Sequence, residues 1–234
     1  MNPSIRSPDF PRWSILFIIL VVSLVLSMMP FGYILLYPFK LFTTWAHECG
    51  HGLMAVLIGG EVKSIVIDPS TAGLTQSLIP SSAFARALVA SAGYMGAASF
   101  GCLLLVATRL RRLENFLLGL IGLLMIASLI FWIRNLFGVF AVVAMAAGFI
   151  YIAKRFKGGA SRFFLSLLAV QVGLNALFDI RVLFLLGAGE HSDAATMASL
   201  TFLPAWLWAG LWMVMSIGAL FITIRLTHEN VSST

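Results

Sequence analysis

Charge is scarce in this sequence. Only 10% of its 234 residues are Asp, Glu, Lys or Arg, against roughly 25% in an ordinary soluble domain. Hydrophobic residues make up 60%, and the mean hydropathy is +1.00. That balance excludes a disordered chain and argues against a soluble globule, which could not hide so much apolar surface. Cysteine is nearly absent too. Cys49 and Cys102 both sit inside apolar runs, which argues against a disulfide framework. The first apolar run has no small-residue cleavage site behind it, so no cleavable signal peptide is expected. There is no internal repeat and no polar segment long enough for a soluble domain. The net charge of +6 is carried by single basic residues and short clusters between apolar runs. Such placement anchors helix ends at lipid headgroups, and no nucleic-acid partner is expected.

The apolar runs predict an all-α polytopic membrane protein, with the bilayer as its solvent and about six to seven transmembrane helices. A polar N-terminal tail is expected over 1–12, a single membrane domain over 13–226 and a polar C-terminal tail over 227–234. From Trp13 the chain is apolar almost to Gly59, too long for one span of about 20 residues. Pro30 and Pro38 are the candidate breaks, giving helices near 13–36 and 39–58. Further spans are expected near 83–108, 115–133, 137–153, 162–187 and 202–225. Residues 61–80 differ. EVKSIVI is β-branched and roughly alternating, DPSTAG carries turn chemistry, and LTQSLI can return as a second strand. A short β-hairpin is predicted there.

The second predicted helix contains His47-Glu48-Cys49-Gly50-His51. At about 100° per residue, His51 lies about 40° round from His47 and Glu48 about 100° round, so all three share one face. Two imidazoles one turn apart can hold a zinc ion, and an adjacent carboxylate can deprotonate water beside it. Cys49 points about 200° away and reads as packing. Gly50 and Gly52 allow a neighbouring helix to come close. With 4 His and 5 Glu in the chain, a random H-E-x-x-H arises on the order of once in 700 such sequences. A plain reading as polar helix-end residues is strained, because ionisable groups inside a membrane are costly and need partners.

Two imidazoles and a water leave a tetrahedral zinc one ligand short. Asp179, deep in an apolar helix, is the first candidate. His51 and Asp179 each lie about 8 residues, or about 12 Å, before a terminating glycine (Gly59 and Gly187), with four spans between, so both can reach one depth. Asp193 is the alternative third ligand, although Ser192-Asp193 also fits a helix N-terminus. His191 reads as a loop residue. Asn175, one turn before Asp179, could donate to the ligand carboxylate or to a substrate carbonyl, or make an interhelical amide contact.

These residues resemble the site-2 protease family of intramembrane zinc metalloproteases, the M50 peptidases, in its compact M50B-like branch. The resemblance rests on HECGHGLMAVLIGGEVKSIVI and PSTAGLTQS, on GYMGA, on the helix with Asp179, and on HSDAATMASLTFLPAWLWAGLW. It implies Zn2+ held by His47 and His51, Glu48 as catalytic base, and an aspartate from a later helix as third ligand. In many members that aspartate follows an N-x-x-P pattern and precedes glycine; here the stretch is NALFDIR. The resemblance further implies a transmembrane or membrane-associated protein substrate, added as a strand to the hairpin edge. The chain is then expected to be a multi-pass enzyme of the cell membrane. Two other readings compete: an M50-like protein that binds or chaperones membrane partners without cutting them, and a metal transporter. Transport would call for polar residues along a path and often paired half-helices, which this chain lacks.

Overall fold

The computed structural model describes residues 12–109, 113–186 and 192–232. Among them are eight helices and one two-stranded sheet: α1 (Arg12–Ser27), α2 (Gly32–Leu57), β1 (Glu61–Ile67), β2 (Gly73–Leu78), α3 (Ala83–Ala107), α4 (Glu114–Phe131), α5 (Leu136–Arg155), α6 (Gly159–Leu186), α7 (Asp193–Thr201) and α8 (Ala205–Ser232). Helices α3, α4, α5, α6 and α8 are each long and apolar enough to cross a bilayer. Helices α1 and α2 meet at 114° across a short break, and the pair counts as a sixth span if it is one broken crossing. The five or six spans among the described residues meet the lower end of the six to seven expected. The first apolar run does split at Pro30, but Pro38 lies inside α2 as its seventh residue, where it removes the single bond its N–H would give the Ile34 carbonyl and the helix continues. α8 continues to Ser232 through most of the stretch expected as a tail. The N-terminal tail, Gly187 and His191 lie outside the described residues, apart from Arg12.

Large apolar side chains such as Phe17, Phe116, Leu136, Phe140 and Val214 are exposed on the outside of the bundle. Hydrocarbon, not water, suits such a surface. Inside, helices meet at small residues, as expected where lipid supplies no hydrophobic drive and close contact must do the work. Gly50 of α2 lies so near α3 that a Cβ there would stand 2.5 Å from the Ala92 carbonyl oxygen. Gly101 brings α3 against Gly173 of α6, and Gly122 lets α4 reach Ile150 and Ala146 of α5. One ion pair joins the starts of α4 and α6: the Arg162 guanidinium donates to the buried Glu114 carboxylate at 2.9 Å.

The hairpin forms where the alternation predicted it. β1 and β2 pair antiparallel, with an irregularity between Val62 and Ser64. At the turn, Asp68 Oδ1 accepts from the Ser70 amide at 2.8 Å, and Thr71 takes a left-handed φ of 72°. Ser70 holds the exposed Asp68 carboxyl below its ordinary range through its hydroxyl and its amide. The outer edge of β1 is covered. The Ile65 amide donates to Trp132 O at 2.7 Å, the Arg134 amide donates to Ile65 O at 3.1 Å, and the Asn135 side chain pairs with both backbone groups of Ile67. Ile65 and Ile67 are fully buried beneath this cover. The opposite edge, on β2, makes no backbone hydrogen bond among the described residues beyond its ladder to β1.

The hairpin runs back along α2 toward that helix's N-terminus. Tyr37 Oη donates to Pro69 O at 2.6 Å and Thr44 Oγ1 to Thr71 O at 2.7 Å, and Thr75 Oγ1 lies 3.0 Å from Glu48 O. A seven-residue strand spans about 23 Å, so the sheet reaches well down the side of the helix bundle. Gly52 on α2 makes room for Val62, Ile65 and Trp132.

The close contact at Gly50 yields the first prediction. In Gly50→Ala the new Cβ meets a backbone oxygen that no rotamer change can move. The substitution is expected to cost about 1–3 kcal/mol. Thermal unfolding in detergent should show the midpoint falling by roughly 2–4 °C for each kcal/mol in a chain of this size.

Candidate metal centre and catalytic cavity

One turn of α2 presents His47 and His51 side by side, with their Nε2 atoms 3.0 Å apart. A 2.7 Å contact joins His51 Nδ1 to the Val89 carbonyl of α3. Only a protonated Nδ1 can make that bond, which leaves Nε2 as the nitrogen that faces His47 and Asp193. The His47 ring stands edge-on to Tyr94, with centroids 4.6 Å apart, and Tyr94 in turn stacks on Trp212 of α8 at 5.2 Å. Both imidazoles are thereby oriented by groups behind them, as metal-ligating histidines are.

The carboxylate that meets them belongs to Asp193. Its Oδ2 lies 3.2 Å from Nε2 of His47 and 3.2 Å from Nε2 of His51. Asp193 opens α7, and Ser192 caps that helix by accepting from the Ala195 amide at 3.2 Å. The capping chemistry read at Ser192-Asp193 is therefore present, and it aims the aspartate instead of accounting for it. Helix α7 lies against α3 and α8, with Met197 buried next to Ser91. Burial pushes the Asp193 carboxyl up, but the hydrogen bonds and charge of the two imidazoles outweigh that and bring it down to about 2.

Among the described residues, His47, His51 and Asp193 form the one group of three or more His, Cys, Asp or Glu side chains able to share a metal ion. Their three donor atoms form a triangle with sides of 3.0, 3.2 and 3.2 Å. Tetrahedral zinc with bonds of about 2.0–2.1 Å sets donor atoms about 3.3 Å apart, so the residues fit the ion. A cradle faces them. A Cβ on Gly93 would fall 2.4 Å from His51 Nε2 and 2.5 Å from His47 Nε2, and only glycine leaves that space open.

Asp179, the expected third ligand, is not in this group. It lines the same cavity from α6. The depth arithmetic placed it at the level of His51, but depth does not fix which side of a helix meets the site. A short helix lying after the span can bring a second carboxylate to the same level. Asn175 departs from its expected role as well. It is buried, its Nδ2 lies 3.5 Å from Thr43 Oγ1 on α2, and it does not line the cavity. That is the interhelical amide contact. Cys49 packs in the hydrophobic core, as its helical angle implied.

Glu48 is buried at the cavity wall, where Thr75 Oγ1 of β2 donates to its Oε2 at 2.6 Å. Gly73 lies directly against the carboxylate: a Cβ there would stand 2.4 Å from Oε1. The hairpin thus holds the acid, and its open edge forms part of the wall. The cavity is about 590 Å³ and is lined by α2, α3, α6, α7 and residues 71–75. Gly73 and Thr75 fall in the PSTAGLTQS segment, and Gly93 and Tyr94 in GYMGA, both of which carry the resemblance, but the sequence assigned none of the four a role. Threonine in a strand and glycine in a helix carry no signal until the partner element is known.

Residues 14–223 match the Peptidase M50B-like family. The chain belongs to that family. It is a family of membrane metallopeptidases, and the match covers nearly the whole sequence of this M50B-like protein. No curated protein and no solved structure matches the chain.

The geometry separates the two aspartates by experiment. In the purified M50B-like protein, Asp193→Ala should weaken zinc retention against a competing chelator by more than about 100-fold. Asp179→Ala should leave the zinc stoichiometry from elemental analysis unchanged. The opposite pattern would restore Asp179 as the ligand.

Proposed function

We propose that this protein is an intramembrane zinc endopeptidase that hydrolyses peptide bonds of membrane-embedded protein substrates. His47, His51 and Asp193 hold the zinc, and Glu48 is the general base. The observation that carries this reading is the convergence of three donor atoms and a separately held carboxylate on one cavity within an apolar bundle. Zinc bound there supplies Lewis acidity, polarising a carbonyl and lowering the pKa of water toward about 7.

The chain's own residues account for the remaining work. Thr75 engages one oxygen of the Glu48 carboxylate, leaving the other to accept a proton from the attacking water. Glu48 then returns that proton to the departing amine. The β2 edge offers free backbone donors and acceptors to an extended substrate segment. A transmembrane helix must unwind to expose its peptide bond, and pairing with β2 replaces the hydrogen bonds that unwinding breaks. The Tyr94 hydroxyl has no hydrogen-bond partner among the described residues and belongs to the cavity wall. It takes the role of donor to the developing oxyanion, in place of Asn175.

Glu48→Gln keeps the shape of the acid and removes its basicity. Cleavage of helical membrane peptides by this variant in detergent or vesicles is expected to fall by about 10²–10⁴-fold, with zinc content intact. Stoichiometric zinc in the wild type with no Glu48-dependent cleavage of any peptide would contradict the peptidase reading.

A further inference from the structure

Three carboxylates line the catalytic cavity, and two of them are engaged. Glu48 is bonded to Thr75, and Asp193 lies against both imidazoles. Asp179 has no hydrogen-bond or ion-pair partner among the described residues, although it is largely enclosed by the bundle. Its neighbours in the wall include the apolar side chains of Ala90, Val182 and Leu183. Lys40 and His47 in the same wall act on it only through space, and no cation among the described residues forms an ion pair with it. Lys40 stands over the Tyr33 ring, 5.9 Å from its centroid, and makes no ion pair with Asp179. Arg86 is exposed at the start of α3. Arg181, two residues along α6, is exposed and does not line the cavity.

A carboxylate facing the cavity from a largely apolar wall, with no donor from the protein, is costly, and an arriving ammonium or guanidinium group relieves that cost. We propose that Asp179 is a cation subsite, selecting substrates that carry Lys or Arg close to the bond that is cut. This rests on the peptidase reading above. A cavity of 590 Å³ would be about 10 Å across if spherical, or about three residues of extended chain. A side chain paired with Asp179 therefore belongs within about three residues of the scissile bond. Membrane helices commonly carry Lys and Arg at their ends, so the subsite favours substrates cut near the basic end of their membrane segment.

The test uses the full-length zinc-loaded protein in phosphatidylcholine vesicles, whose lipids add no net charge. The probes are transmembrane peptides that differ only by Lys, Gln or Glu at each position near the cut, which is located by mass spectrometry. At one position the wild type should cut the Lys peptide at least tenfold faster than the Glu peptide in kcat/KM. Asp179→Asn should bring that ratio near one, Asp179→Lys should invert it, and Asp179→Glu should preserve its direction. Zinc content and thermal unfolding of each variant separate a lost preference from a lost fold. Glu48-dependent cleavage with an unchanged ratio in Asp179→Asn would overturn the subsite and leave the peptidase reading standing. Loss of zinc in that variant would overturn it too, because Asp179 would then be a ligand. Failure of the wild type to cut any peptide would remove both.

Discussion

Asp193 lies at equal distance from two imidazole nitrogens in the interior of a helix bundle with few charges, and most of the surrounding architecture serves that contact. Placing ionisable groups within a membrane protein is expensive unless they are paired. Here each member is positioned by a different element. The Val89 carbonyl orients His51, Tyr94 and Trp212 brace His47, and the Ser192 cap sets the direction of Asp193. Gly93 holds open the space that the two imidazole Nε2 atoms face. A metal ion in that space would bind all three donors at once and leave a fourth position open for water.

The hairpin is the second constraint. A sheet edge inside an apolar bundle is unusual, because exposed backbone groups have no water to bond with. This hairpin settles one edge against residues 132–135 and leaves the other on the cavity. It also supplies Thr75 to the Glu48 carboxylate. The same strand therefore fixes Glu48 and keeps a free edge, so in the proposed reaction an extended substrate on that edge would be coupled to the position of the base.

The sequence made much of this legible. Helical angle put His47, Glu48 and His51 on one face and sent Cys49 into the core. β-branched alternation and the DPSTAG turn located the hairpin almost to the residue. Other features were beyond a linear reading. Pro30 falls in the break between α1 and α2 while Pro38 is carried inside α2, a difference that proline alone does not signal. The choice between Asp179 and Asp193 turned on a nine-residue helix whose apolar content is too slight to mark it as part of the buried bundle. Asp193 also had a sufficient local explanation as a helix-start residue, which hid its longer-range contact. Gly73, Gly93 and Thr75 gain meaning only from what lies opposite them. No spacing rule joins strand 73–78 to residue 48.

The coordination sphere itself offers the most direct measurement. X-ray absorption at the zinc edge of the purified wild-type protein should show four light scatterers at about 2.0–2.2 Å. Two of them should carry the outer-shell signature of imidazole, and no sulfur should be present. A sulfur scatterer at about 2.3 Å, a single imidazole, or a metal content well below one ion per chain would contradict a centre built from His47, His51 and Asp193.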